Sequence, residues 1–266
     1  MKKVIFITGT SRGLGKMTLE RLKAQGHIVY GSSRHPKGVN PYHLKLDVTD
    51  SAQCQAAVDA IVNREGKLDV LINNAGGHMI GAAAELSNLE LHQQMELNFY
   101  GAVNCTKACL PYFLKQGYGQ IISISSMMGS IALPYSSAYC AAKFALEGYM
   151  ESLRLELLPF NISVSITKTA YINTGVVISN PEIELEEYKE LRSKIKNIMD
   201  ERSPKGIPPE KVAVKIMEII SASRPKFRYK VDQMTKILTL FKSLGREQYF
   251  EKRLLNSFKL RSQANF

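Results

Sequence analysis

The chain has no apolar run long enough to span a bilayer, which argues against a helix buried in a membrane. The opening Met1-Lys2-Lys3 and Val4 to Thr8 imitate the start of a secretion signal. Gly9 to Arg12 breaks the run too early for one, so a cytoplasmic location is expected. Cysteine is scarce, with only Cys54, Cys105, Cys109 and Cys140 among 266 residues. They form no CxxC pair, and no histidine lies near them at ligand spacing, so no metal site is expected. Cys105 and Cys109 share a helical face and read as small buried hydrophobes. Repeats and low-complexity tracts are absent. The chain also lacks a nucleic-acid reader motif and an aromatic stacking platform, so nucleic acid is not an expected partner.

What is present is a sizeable apolar fraction, 45%, and a formal charge of +11. The length fits one large domain or two small ones. The excess charge gathers in the last forty residues, from Lys226 through Lys236 and Lys242 to Arg261. We expect a main domain over 1–232 and a basic C-terminal extension over 233–266.

Val4 to Thr8 reads as a short strand buried on both faces. It runs into Thr8-Gly9-Thr10-Ser11-Arg12-Gly13-Leu14-Gly15, then an amphipathic helix ending at Gly26 and a strand from His27 to Gly31. Strand, glycine turn, helix and strand in this order form the context of a dinucleotide loop. Glycines let the backbone approach a pyrophosphate, and the helix N-terminus offers N–H groups to it. The second strand ends Gly31-Ser32-Ser33-Arg34, with no acidic residue to take the ribose hydroxyls of NAD. Arg34 suits a 2'-phosphate instead, Ser32 or Ser33 can donate to it, and Arg12 is a second cation nearby. NADP(H) is the expected cofactor.

A third strand is expected over Tyr42 to Leu46, and a helix over Ala52 to Asn63 capped by Asp50 or Ser51. Asp47, just past the strand, can accept from an adenine amine or serve as a cap. A fourth strand, Leu68 to Ile72, stops at Asn73-Asn74-Ala75-Gly76-Gly77. A helical region from Leu89 to Gln116 holds Asn98, a polar amide that wants a partner among apolar neighbours. The strand Gly119 to Ser125 delivers Ser126 at its C-terminal end, where parallel sheets present ligands. The following helix carries Tyr139 and Lys143 on one face. An ammonium beside a phenol lowers its pKa toward a working range. Ser126 can hold a substrate oxygen, so the pattern points to chemistry on an alcohol or a carbonyl. A sixth strand is expected over Ile162 to Ile166.

These motifs resemble the short-chain dehydrogenases/reductases, and within them the 17β-hydroxysteroid dehydrogenase-like branch, over roughly residues 3–231. The segment from Tyr139 to Gly148 is similar to the steroid and retinoid members. The resemblance implies an α/β Rossmann-type, doubly wound parallel sheet of seven strands in the order 3-2-1-4-5-6-7. It implies a tetrad of Asn98, Ser126, Tyr139 and Lys143. It implies a cofactor site of Gly9, Ser11, Arg12, Gly13, Leu14, Gly15, Ser33, Arg34, Asp47, Val48, Asn74, Ala75, Gly76, Tyr139, Lys143, Ile172 and Thr174. In these roles Tyr139 is the acid/base and Ser126 orients the carbonyl. Lys143 lowers the phenol pKa and binds the nicotinamide ribose, and Asn98 holds a water that links Lys143 to solvent. The family's usual Pro-Gly or Gly-Pro pair after the sixth strand is replaced by Ala170-Tyr171.

A lid is expected over about 174–208, with a helix near Ile183 to Met199 whose glutamates lead and lysines follow. A helix from Pro209 to Ser221 and a strand near Phe227 to Val231 complete the sheet. The substrate pocket is expected from His78, Met79, Met127, Met128, Leu133, Tyr135, Tyr171 and Val177, a mostly apolar set that suits a hydrophobic alcohol or ketone. The extension from Gln233 reads as two basic amphipathic helices, packed over the substrate entrance, at a subunit contact or on an anionic membrane surface. The expectation is therefore an NADP-dependent oxidoreductase acting on a steroid-, retinoid- or lipid-like secondary alcohol or ketone. A homodimer or homotetramer and a weak membrane contact are expected with it. The second class is a non-catalytic NADPH-binding regulatory or scaffolding protein of the same fold.

Overall fold

The computed structural model describes residues 1–36, 38, 40–174, 178–243 and 247–258. Its central sheet is parallel, and it forms because short β-rich runs alternate with amphipathic helices. The strands, in chain order, are β1 (Val4–Ile7), β2 (Ile28–Ser33), β3 (His43–Lys45), β4 (Val70–Asn73), β5 (His78–Met79), β6 (Gly119–Ile124), β7 (Ile162–Lys168), β8 (Ile178–Ser179) and β9 (Arg228–Lys230). Seven of them make the main sheet in the order β3-β2-β1-β4-β6-β7-β9. Counted along that sheet alone, this is the expected 3-2-1-4-5-6-7. The helices are α1 (Gly13–Ala24), α2 (Ser51–Glu65), α3 (Asn88–Met95), α4 (Gly101–Gln116), α5 (Ser137–Leu157), α6 (Glu186–Arg202), α7 (Pro209–Ser221), α8 (Gln233–Ser243) and α9 (Glu247–Ser257).

Successive side chains of a strand point to opposite faces, and β1 shows the consequence. Val4 and Phe6 join a core with Val58, Ile61, Cys105, Cys109, Phe113, Leu146 and Met150, from α2, α4 and α5. Ile5 and Ile7 join the opposite core with Leu14, Leu22, Val212, Ile216 and Ile219, from α1 and α7. Both faces are covered, and the central strand β1 is apolar throughout. The order reverses where β1 separates β2 from β4. Loops leaving the strand ends diverge there and leave a crevice, the usual ligand position of open α/β sheets.

Three local results differ from the sequence expectation. The single helix expected from Leu89 to Gln116 is two helices joined by a π-turn over Glu96–Tyr100, with Asn98 at its centre. The lid helix runs Glu186–Arg202, displaced by one turn toward the C-terminus. A small parallel ribbon pairs His78 with Ile178 and Met79 with Ser179, so the lid begins as a strand beside the Asn-Asn-Ala-Gly-Gly loop. Among the described residues no helix is long and apolar enough to cross a membrane.

The lid is anchored by polar groups. Arg192, buried on α6, pairs with the buried Glu85, and its other nitrogen reaches Glu184 at 2.8 Å. Glu85 also accepts from the backbone N–H groups of Ala82 (2.9 Å) and Leu185 (3.1 Å). Beneath the lid, Ile80, Met127, Met128, Ile131, Leu133, Ile195, Met199 and Phe258 form a third apolar cluster, which Leu238 and Leu254 join from α8 and α9. The C-terminal helices therefore close over the same cluster as the lid.

Candidate active site

A cleft of about 660 Å³ lies at the strand ends where the order reverses. The glycine loop forms its floor. Gly9 has φ +71°, and a side chain there would lie 2.9 Å from the Ala75 backbone. At Gly15 a Cβ would lie 2.3 Å from the Gly9 carbonyl oxygen, so only glycine lets this loop fold so tightly. Asn74 fixes the loop, donating its amide to the carbonyls of Thr8 (2.9 Å) and Gly9 (3.0 Å).

The cleft is lined by Gly9, Ser11, Arg12, Gly13, Leu14, Gly15, Ser33, Arg34, Asp47, Val48, Asn74, Ala75, Gly76, Ile172 and Thr174, the whole expected cofactor set from the loops. Among the described residues, neither the Arg12 nor the Arg34 side chain pairs with a carboxylate. Both are exposed at the cleft, as a site for an anion requires. The buried hydroxyls of Ser32 and Thr174 have no partner among the described residues, although both residues line the cleft. Unsatisfied buried hydroxyls beside a glycine cradle are what a polar, phosphate-bearing cofactor would complete. Ser33 differs, because its hydroxyl is already engaged with His43 Nε2 at 2.8 Å. Asp47 is not the helix cap. Asp50 accepts from Gln53 N–H in that role, while one Asp47 oxygen accepts from Thr49 N–H and Oγ1.

At the far end of the cleft stand Asn98, Ser126, Tyr139 and Lys143. β6 delivers Ser126, α5 presents Tyr139 and Lys143 one turn apart, and the π-turn presents Asn98. The Lys143 ammonium lies 5.6 Å from the Tyr139 ring centre and donates to the Ile124 carbonyl at 3.0 Å. Asn98 accepts from Gly77 N–H at 3.1 Å and donates to Gly77 O and to Gln94, so its amide holds the π-turn to the Asn-Asn-Ala-Gly-Gly loop.

Burial dominates the protonation of the site. It pushes the Tyr139 phenol up to about 12, against a downward pull from its hydrogen bond with the Ser126 hydroxyl. It brings Lys143 down to about 8, against the upward pull of the Glu147 carboxylate. The lowering of the phenol pKa expected from Lys143 is therefore not seen. Desolvation outweighs a cation that is turned toward Ile124. His78 packs its ring on Tyr139 with centres 4.5 Å apart, and its Nε2 meets Ser136 Oγ at 3.0 Å. Burial brings this histidine down to about 4, so it is neutral.

Of the expected substrate residues, His78, Met128 and Tyr171 line the cleft. Met127 lies beneath it in the apolar cluster. Tyr135 borders the same cluster and turns toward the lid, ring to ring with Tyr188 at 6.3 Å. Neither lines the cleft, because the turn after Ser126 directs Met128 inward in their place. Val177 lies outside the described residues.

Sequence reading missed several contributors. Gln94 from α3, Leu97 from the π-turn, Thr169 after β7, and Met199 and Ser203 from the lid also line the cleft. Behind Ser126, the buried Glu147 accepts from Ser125 Oγ at 2.8 Å and pairs with Lys168 at 2.8 Å. Lys168 also contacts the Ser130 hydroxyl. The signal for Glu147 was its place four residues after Lys143, on the same helical face.

Residues 3–184 match the family model described as short chain dehydrogenase. The chain is 40% identical over 242 residues to a 3-ketodihydrosphingosine reductase of Bacteroides thetaiotaomicron, covering 89% of this chain and 90% of that protein. It is 31% identical over 265 residues to the uncharacterized oxidoreductase YusZ of Bacillus subtilis, covering 91% and 94% of the two chains. A solved short-chain dehydrogenase of Streptomyces avermitilis superposes with a TM-score of 0.83 at 29% identity, covering 93% and 94%. With the doubly wound sheet and a cleft at its reversal point, these matches show that the chain belongs to the short-chain dehydrogenase family, oxidoreductases acting on CH–OH groups.

Proposed function

We propose that the protein is an NADP(H)-dependent reductase of a hydrophobic, lipid-like ketone, with Tyr139 as its general acid. The observation that carries this reading is the junction of two half-sites in one cleft. Unpaired Arg12 and Arg34 with open hydroxyls lie at one end, and Tyr139 with Ser126 lies under an apolar lid at the other. The bound nicotinamide supplies the hydride. Ser126 orients the carbonyl oxygen, and Tyr139 gives its proton to that oxygen as negative charge develops. A phenol held near 12 is protonated at neutral pH, which favours the reducing direction. Lys143, still a cation below about 8, contributes positive potential and a donor toward the nicotinamide ribose. Asn98 fixes the π-turn against the Asn-Asn-Ala-Gly-Gly loop, whose Gly76 lies beside Lys143.

Met128, Tyr171 and Met199 make the substrate end of the cleft apolar. The hydroxysteroid dehydrogenase-like motif and the 3-ketodihydrosphingosine activity named for the Bacteroides relative both involve a bulky apolar skeleton. Long-chain 3-oxo lipids are therefore the preferred substrates. A homodimer or homotetramer, a cytoplasmic location and a weak membrane contact through the basic extension complete the reading. The four free cysteines suit a reducing compartment. The reading also covers the domain limits, 1–232 for the catalytic unit and 233–266 for the extension.

The test is cofactor consumption against steroids, retinal and long-chain 3-oxo compounds, with NADPH and NADH in parallel. Turnover with NADPH on a long-chain ketone is the expected result. NADPH binding with no turnover on any ketone would instead favour the regulatory module.

A further inference from the structure

Helix α8 packs Leu238 inward on the cluster beneath the lid and leaves a second apolar stripe outside. Thr235 and Thr239 are buried, at 0% and 8% exposure, while Met234, Ile237 and Leu240 are exposed at 45%, 51% and 57%. The three apolar side chains are three residues apart and so form one stripe. Lys236 is exposed beside it, and α8 contains no carboxylate. From Arg224 to Lys242 the chain carries six basic residues against one acidic, Asp232. That carboxylate is occupied, accepting from Ala170 N–H (2.9 Å), Thr235 N–H (2.7 Å) and Thr235 Oγ1 (2.7 Å). The other end of α8 is fixed by Lys242, which donates to the Ser130 carbonyl at 2.7 Å. Both anchors thus fall on loops that frame the site, one on the Thr169-Ala170-Tyr171 turn and one after Ser126.

We propose that the outer face of α8 docks on an anionic lipid surface, and that this places the lid and cleft at the membrane from which a lipid ketone is drawn. The proposal rests on the ketone-reductase reading for its purpose, and on the α8 stripe alone for its location. Charge selects the occupant. A second copy of the chain would set the same stripe and the same exposed Lys236 against themselves, with no α8 carboxylate to meet the lysine. An anionic headgroup layer complements Lys236 while its acyl boundary accepts Met234, Ile237 and Leu240. The inward threonines are satisfied locally, Thr235 Oγ1 donating to Asp232 at 2.7 Å and Thr239 Oγ1 to Thr235 O at 2.6 Å.

The test is co-sedimentation of the full chain with phosphatidylcholine vesicles and with phosphatidylcholine–phosphatidylglycerol vesicles, at low and high salt. Wild-type protein should prefer the anionic vesicles by about tenfold, and salt should reduce the preference. The double variant Ile237→Asn/Leu240→Asn should bind them about tenfold more weakly with an unchanged melting temperature, and Lys236→Glu should weaken only the anionic preference. The double variant should reduce a short, water-soluble ketone at the wild-type rate but lose turnover on a long-chain ketone embedded in vesicles. Equal sedimentation of wild type and double variant would overturn the proposal. So would a fall in oligomer mass in the variant without any lipid dependence, which would assign the stripe to a second copy. Failure of the reductase reading would show separately, as no turnover on either ketone.

Discussion

At the residue scale, the site is governed by what burial does to two protons. The Tyr139 phenol, at about 12, keeps its proton through the neutral range, and Lys143, at about 8, keeps its charge only below that point. Ketone reduction should therefore be level near neutrality and fall as pH rises through about 8, while alcohol oxidation should increase toward alkaline pH. Profiles of kcat/KM in both directions check this, and a reduction rate that climbs with pH would contradict it. Lys143 also costs stability. Its folded pKa lies below the ordinary 10.5, so the penalty is fully present below about 8 and fades as pH rises toward 10.5. Lys143→Met should gain about 1–3 kcal/mol at neutral pH while losing turnover. Thermal melts at neutral and alkaline pH measure it, and the difference from wild type should shrink at the higher pH. At the other end of the cleft, Arg34→Asp should raise the KM for NADPH by about tenfold to a hundredfold and improve the use of NADH. Equal loss with both cofactors would place Arg34 outside the 2'-phosphate site.

At the scale of elements, the lid depends on one buried ion pair. Arg192→Ala leaves Glu85 charged and unpaired, at a local cost of about 3–5 kcal/mol. Faster limited proteolysis within α6 and a higher KM for bulky ketones should follow, with little change in NADPH affinity. Unchanged proteolysis would mean that packing of Ile195 and Met199 alone holds the lid. The sequence made α7 legible to the residue, because its apolar period is unbroken and a proline opens it. α3 and α4 merged into one helix in the sequence reading, because a π-turn keeps helical periodicity and differs only in one inserted residue near Asn98. The β5–β8 ribbon was invisible. Two-residue strands carry no pattern, and their pairing joins residues a hundred positions apart. The same distance hid Met199 and Ser203 from the cleft, while the glycine loop and Tyr139 with Lys143 were legible because each is a local motif.

At the scale of the whole molecule, one sheet brings together the two ends of the proposed site, the glycine loop after β1 and Tyr139 with Ser126 beside the end of β6. Neither half-site would act alone. In the proposed reading the glycine loop supplies binding without chemistry, and the phenol without a hydride source would reduce nothing. The lid and the C-terminal helices add an apolar cluster of Met199, Leu238 and Phe258, of which Met199 reaches the cleft. The central claim is that these parts make a reductase in which Tyr139 supplies the proton. The most direct measurement compares wild type with Tyr139→Phe for NADPH binding by fluorescence and for NADPH consumption with a long-chain 3-oxo substrate. The variant should bind NADPH equally well and turn over more slowly by about 10²–10⁴. Turnover at the wild-type rate without the Tyr139 hydroxyl would contradict that claim.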